Sequence, residues 1–273
     1  MAVGVEAAAL PVTGRARRAP RRLSRDTVRV YVLRVVVLAV VIVGWQLLGT
    51  SSTKTAFFIS NPAAVWDSLV SLVPTANFWL DVGTTLQETV IGFLLGGVAG
   101  VLLGFLLSFS PTAHRVLDPI LNALNSLPRI ALASLFILYF GLGLEAKIAL
   151  VISLVFFPLF LNAYKGATTI DPDYQLLMHT MKAGRVQFVR MVTLPSTVPW
   201  LISGAKLGLA QGLGGAVIGE IISAQHGLGA ALNIAANAFD TSQEFAILIV
   251  LIVIAMTLNG IFERLERLAS AWR

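Results

Sequence analysis

The stretch DPDYQLLMHTMKAGRVQFVRMVTLP, Asp171 to Pro195, decides how the chain is read. It carries Asp, His, Lys and Arg, ends in Leu-Pro, and lies between two long apolar runs. Ionised side chains are costly in hydrocarbon. The flanking runs are therefore separate membrane elements, and the stretch between them is a connection lying in water. Composition supports this: 56% of the 273 residues are hydrophobic and 12% are charged, with a mean hydropathy of +0.82. Soluble domains carry about a quarter charged residues, so the chain reads as an all-α integral membrane protein.

A spanning helix needs about 20 mostly apolar residues. Six segments qualify: 31–48, 82–109, one within 117–140, one within 146–163, 198–222 and 245–262. The connection 49–80 is too polar and Pro-broken to span. Within it, Pro62 followed by Val65, Trp66, Leu69, Val70 and Val73 predicts an amphipathic interfacial helix. Trp66 and Trp79 suit the headgroup level.

Lys and Arg give the orientation. Arg15, Arg17, Arg18, Arg21, Arg22, Arg25, Arg29 and Arg34 crowd the N-terminal end. A positive flank beside an apolar run is a topology signal rather than a nucleic-acid site. With that end inside, Arg115, Lys165, Lys182, Arg185, Arg190, Arg264, Arg267 and Arg273 are also cytoplasmic. Asp67, Asp81, Glu145, Asp240 and Glu244 are external. Both termini and the Asp171–Pro195 connection, between spans four and five, are then cytoplasmic. Residues 1–30 read as a disordered basic tail, and 31–48 as an uncleaved first helix.

Glycines recur every four residues at Gly92, Gly96, Gly100 and Gly104, and again at Gly204, Gly208 and Gly212. Residues four apart share a helix face, and glycine lets a second backbone approach. Spans two and five are expected to be the tightly packed ones.

Several chemistries are excluded. Without Cys there is no disulfide, zinc-finger Cys site or thiol catalysis. His114, His179 and His226 lack metal-ligand spacing, and GLGGAVIGE lacks the Lys-Ser/Thr of a phosphate loop. No catalytic residue, metal ligand or bound cofactor is expected on this chain. Four charges fall at membrane depth: Glu88, Arg129, Lys206 and Glu220. Such residues usually face a cavity or a partner. Arg129, Lys206 and Glu220 are the pathway candidates. Pro128 breaks its helix and offers Arg129 to a pathway. Lys206 has the length to snorkel to the cytoplasmic surface, and Glu220 lies near the outer end of span five, solvated or at a gate.

The connection resembles the cytoplasmic EAA loop of binding-protein-dependent ABC importer permeases, a pattern of D-P-x-L-x-E-A-A-x-x-L-G-A-S, a basic stretch and L-P-x-x-x-P. Asp171, Pro172, Ala183, Arg185, Gln187, Arg190, Leu194, Pro195 and Pro199 keep its register. LDPILNALNSLPRIALASLFILYFGLG, LPSTVPWLISGAKLGLAQGLGGAVIGEII, GLGAALNIAANAFDT and IFERLERL are similar to the sulfonate, taurine and nitrate branch. The resemblance covers about 61–268. It implies a type I importer fold: six transmembrane helices with a coupling helix in the loop between helices four and five.

It also implies an external segment over 49–80, a permease domain over 81–263 and a cytoplasmic tail over 264–273. Implied partners are ABC ATPase subunits carrying ATP and Mg, a second permease copy or paralogue, an extracytoplasmic substrate-binding protein and the lipid bilayer, with no nucleic acid. The site is a prokaryotic plasma membrane.

The coupling residues implied are Asp171, Pro172, Tyr174, Leu176, Leu177, Met178, Lys182, Ala183, Gly184, Arg185, Arg190, Leu194 and Pro195. Leu176, Leu177, Met181, Val186, Phe188, Val189 and Val192 supply an apolar side, and Tyr174, His179, Lys182 and Arg185 a polar one. Two departures stand out. Leu176, Leu177 and Met178 occupy the Glu-Ala-Ala positions, and Lys182 occupies that of the glycine, whose turn is expected to pass to Gly184. The cargo implied is a small anionic nutrient such as a sulfonate, taurine or nitrate. A pyrimidine precursor or bicarbonate is the alternative within the family. An ATP-independent secondary transporter or channel is the rival from another class, and a membrane-embedded enzyme finds no catalytic spacing.

Overall fold

Three places in the chain put a capping side chain directly before proline. Asn61-Pro62, Ser110-Pro111 and Asp171-Pro172 each start a helix. The Asn, Ser or Asp oxygen accepts a free first-turn N–H, and proline fits the first helical position because its missing N–H has no partner there. The computed structural model describes residues 25–223 and 225–270, and every regular element among them is helical. Most of the expected basic tail, residues 1–24, lies outside the described residues, as does the end of the C-terminal tail, 271–273.

The elements are α1 (Arg25–Thr50), α2 (Thr53–Ile59), α3 (Pro62–Leu72), α4 (Ala76–Ser108), α5 (Pro111–Asn125), α6 (Arg129–Phe140), α7 (Leu144–Thr168), α8 (Pro172–Thr180), α9 (Arg185–Phe188), α10 (Leu194–Ser223), α11 (Leu228–Asn237) and α12 (Thr241–Ser270). A π-helical turn, Val189–Thr193, joins α9 to α10. Among the described residues five helical stretches are long and apolar enough to cross a membrane: those of α1, α4, α7, α9–α10 and α12. The sixth is the bent pair α5 and α6, counted as one span.

The span expected within 117–140 is this bent pair, and at the break read at Pro128 the chain turns by 89° between α5 and α6. Pro128 cannot donate a backbone hydrogen bond and keeps Leu127 out of the helical region. The α5 end is left with open carbonyls, and Arg129 covers them. Its Nη2 donates to the Asn125 carbonyl at 2.9 Å and to Asn125 Oδ1 at 2.8 Å. Its Nη1 donates to the Ser153 carbonyl on α7. The guanidinium also lies 4.7 Å over the Phe157 ring.

The core is α7 held between α4 and α10. A Cβ added at Gly96 would sit 2.8 Å from the Ile152 carbonyl oxygen, and one at Gly104 2.7 Å from that of Phe160. At Gly100 it would collide with the Phe156 carbonyl, and at Gly92 it would meet the Val151 side chain at 2.5 Å. On the other side, Gly204 faces Asn162, Gly208 faces Leu159 and Gly212 faces Val155. Both glycine rows thus point at α7, the fourth span. Spans two and five are tightly packed as expected, but chiefly against the helix between them. Val151, Val155, Leu159, Ala205 and Ala216 form the buried centre.

α1 stands to one side with most of its apolar surface exposed. It is pinned at its end, where Trp45 Nε1 donates to the Ile59 carbonyl at 2.9 Å and the Trp45 ring lies 5.2 Å from Phe245. In α3, Val65 is buried while Trp66 is exposed.

Substituting Gly100→Val should push α4 off α7 and destabilise the bundle by about 1–3 kcal/mol. Gly44→Val, at a position with nothing within 4 Å of an added Cβ, should be tolerated. Thermal unfolding of the purified chain followed by tryptophan fluorescence checks both.

Candidate functional site: the connecting loop and the outer polar cluster

The connection between spans four and five is a short helix, a turn and a continuous run into span five. Asp171 caps α8 by accepting the Asp173 N–H at 3.0 Å. Met178 turns inward and is 7% exposed. Leu176, Leu177, Met181 and Val186 face outward, Leu176 at 67% and Val186 at 82% exposure. Tyr174 is exposed beside them. A short helix with one buried anchor and an exposed apolar row presents the pattern of a helix-in-groove contact. Behind it a cavity of about 450 Å³ is lined by Ser108 and Phe109 of the α4 end and by Met178 and Phe188.

The turn after α8 differs from expectation. Gly184 has φ −70° and ψ 162°, an extended conformation open to any residue. Lys182 instead takes the left-handed conformation, with φ 52°. Its N–H bonds the His179 carbonyl at 2.9 Å, and the Ala183 N–H bonds that of Met178 at 3.0 Å. This pair of bonds is the Schellman helix end, whose left-handed position usually holds glycine. The lysine occupies the turn itself, so Gly184 is not needed for it. A side chain there costs about 1–2 kcal/mol relative to a helical conformation.

Arg185 opens α9, Arg190 lies in the π turn, and Leu194 and Pro195 begin α10. The second half of the loop is therefore the first turns of span five. Pro199, the last residue of the loop pattern, lies inside α10.

At the opposite end of the bundle the pathway candidates part company. Glu220 was read as solvated or at a gate, yet it is 1% exposed. Its Oε1 accepts from Thr85 Oγ1 and its Oε2 from the Gly229 N–H, both at 2.7 Å. It holds the start of α11 against α4 and α10. Gly227 makes room for it: φ is 120°, and a Cβ would strike the Glu220 carboxyl. Asp81 Oδ1 accepts the Gly227 N–H at 2.8 Å, and Thr85 Oγ1 that of Leu228 at 2.9 Å.

Beside this lies an ion pair that no sequence spacing revealed. Lys147 Nζ on α7 is 3.2 Å from Glu88 Oε1 on α4, and Glu88 has no exposure. The only available signals were opposite charges near the outer ends of two apolar runs. Lys206 lies far from the cluster, with Nζ 2.6 Å from Glu266 Oε2 on α12. Arg129 is likewise elsewhere, at the α5–α6 bend. The structure does not bring the three pathway candidates together.

Residues 92–271 match the family described as the binding-protein-dependent transport system inner membrane component. The chain belongs to this family. The permease is 33% identical to the riboflavin transport system permease protein RibX of Chloroflexus aurantiacus, over 87% of this chain and 88% of that one. It is 28% identical to the putative aliphatic sulfonates transport permease protein SsuC of Bacillus subtilis, over 86% and 85%. It is 26% identical to the taurine transport system permease protein TauC of Escherichia coli, over 86% and 87%. A chain of the MetNI methionine ABC transporter, in an inward-facing conformation, shares the fold with a TM-score of 0.57 at 22% identity, covering 77% of this permease and 99% of that chain. The type I importer fold is thereby shown, and the chain is a multi-pass membrane subunit of an importer.

Lys182→Gly should stabilise the permease by about 1 kcal/mol by removing the left-handed side chain, and Lys182→Val should destabilise it; melting temperatures of the three proteins decide this. Lys147→Met leaves two buried carboxylates without their cation and should cost about 3–5 kcal/mol, read as loss of folded protein in a fluorescence-detected size-exclusion profile.

Proposed function

We propose that this permease couples to a separate ABC ATPase through α8 and the turn at Lys182, and moves a small nutrient of the sulfonate, taurine or nitrate kind delivered by an extracytoplasmic binding protein. The observation that carries the coupling is the exposed apolar row Leu176, Leu177, Met181 and Val186 at the end of the bundle rich in Lys and Arg. Apolar side chains exposed outside the spans signal a partner surface. ATP and Mg belong to that partner. The same charge bias supports a cytoplasmic position for both termini. Two permease copies, or this chain and a paralogue, enclose one pathway, and the loop transmits ATPase closure to the spans as rigid-body movement.

The cargo follows from the sulfonate and taurine relatives. A second reading, a pyrimidine-type solute, draws on the riboflavin relative and on the formylaminopyrimidine transport permease protein ThiX of Halalkalibacterium halodurans, 31% identical over 72% of this chain.

Replacing Leu176 and Leu177 by Asp should cut ATPase copurification at least tenfold while leaving the permease monodisperse, since a charge at a buried contact costs more than about 1.4 kcal/mol. Uptake in proteoliposomes should need the ATPase and stop when its nucleotide site is inactivated; uptake by the permease alone would sink the coupling.

A further inference from the structure

In α8, Gln175, Met178 and His179 fall at i, i+3 and i+4, one side of a helix. All three line the cavity of about 450 Å³ behind that helix. Leu176, Leu177 and Met181 are exposed on its other side. The helix therefore has a docking face and, turned the opposite way, a wall of a cavity that docking does not use.

The rest of the lining is chemically one-sided. Phe109, Met178 and Phe188 supply an apolar floor. His179 and Arg185, both exposed, bring donors to the same cavity. Neither side chain has an ion pair or hydrogen bond with another described residue. Thr193 also lines the cavity and is only 3% exposed, yet its hydroxyl has no hydrogen bond to another described residue. A buried hydroxyl without a partner is costly. No described Asp or Glu lines the cavity.

These groups select a ligand class. Guanidinium, imidazole and hydroxyl can all donate, and donors without a carboxylate among them favour an anion. The planar fork of arginine matches the paired oxygens of a sulfonate, carboxylate or phosphate. The apolar floor gains nothing from an inorganic ion and gains from covering a short hydrocarbon body.

We propose that the cavity between α8 and the bundle binds a small organic oxyanion. Its oxygens meet Arg185, His179 and Thr193, and its apolar body lies on Phe109, Met178 and Phe188. Because Met178 and His179 belong to α8, an occupant ties the docking helix to the bundle. Binding there depends neither on the cargo nor on the ATPase.

The chain has no Cys, so Ser108→Cys places a single thiol in the cavity wall, and Gln175→Cys gives a second reporter on the exposed α8 side. The reaction of each with N-ethylmaleimide is timed in the full-length permease in phosphatidylcholine nanodiscs. Butanesulfonate carries both the charge and the apolar body, sulfate only the charge, butanol only the body, and butylammonium the opposite charge. Butanesulfonate should slow labelling at concentrations on the order of tenfold lower than sulfate or butanol requires, because each of these forgoes one set of contacts. Butylammonium should not protect. Arg185→Gln should reduce butanesulfonate to the level of butanol, and Thr193→Val should weaken butanesulfonate alone. Protection by butylammonium, equal protection by sulfate or butanol, or none by butanesulfonate overturns the proposal, as does unchanged protection in Arg185→Gln. The solute comparison with native Arg185 decides even if Arg185→Gln does not fold. Phosphatidylglycerol nanodiscs test the other source of an oxyanion: slowed labelling there without any solute assigns the cavity to a lipid headgroup and overturns the free-solute reading. Labelling needs no uptake, so failed uptake with this pattern intact strikes the importer reading alone.

Discussion

The distance between the α4 and α7 backbones sets the terms for the rest of the molecule. Where Gly96, Gly100 and Gly104 meet the carbonyls of Ile152, Phe156 and Phe160, no side chain fits between the helices. Lipid tails are as apolar as leucine, so helices in a bilayer gain little by hiding apolar surface from lipid. Close van der Waals contact between backbones replaces that driving force. With α4 fixed on one side of α7 and the Gly204–Gly212 row of α10 on the other, the three long helices form one rigid slab. α1, α3 and the α5–α6 pair are attached around it.

The slab also explains why the outer cluster exists where it does. Thr85 and Glu88 are on α4, Lys147 is on α7 and Glu220 is on α10. Helices pressed this closely leave no water between them, so polar groups at their outer ends must satisfy one another. Glu220 does so through the Thr85 hydroxyl and the Gly229 N–H in the first turn of α11. Glu88 does so only by charge. The two acids have different partners although the same packing buries both.

Much of this was legible in the sequence because it depends on local chemistry. Asn61-Pro62, Ser110-Pro111 and Asp171-Pro172 announce helix starts by a cap and a ring that need no tertiary partner. The glycine rows announce close packing by period alone, and the connecting loop stands out by polarity. What stayed hidden depends on partners distant in the chain. Nothing in the glycine rows says which helix they face; α7 was identified only by the folded backbone. Pro128 signals a break but neither its 89° angle nor the Ser153 carbonyl of α7 that Arg129 reaches beside it. The Glu88–Lys147 pair joins residues 59 positions apart, so no spacing rule reaches it. Lys182 shows the opposite failure. Propensity moved the left-handed turn to the nearby glycine, whereas the hydrogen-bond register of the α8 end fixes it on the lysine.

Because α9, the π turn and α10 run on without a break into Ser223, the chain has a lever. α10 alone has 30 residues, about 45 Å at about 1.5 Å per residue. Tilting such a rod by about 5° about its loop end would swing the far end by about 4 Å, more than the length of a hydrogen bond. At that far end Glu220 grips the start of α11. A small pivot at the loop would be large when it reached this grip. Geometry alone therefore makes the two ends of span five unequal: one supplies leverage, and the other feels it.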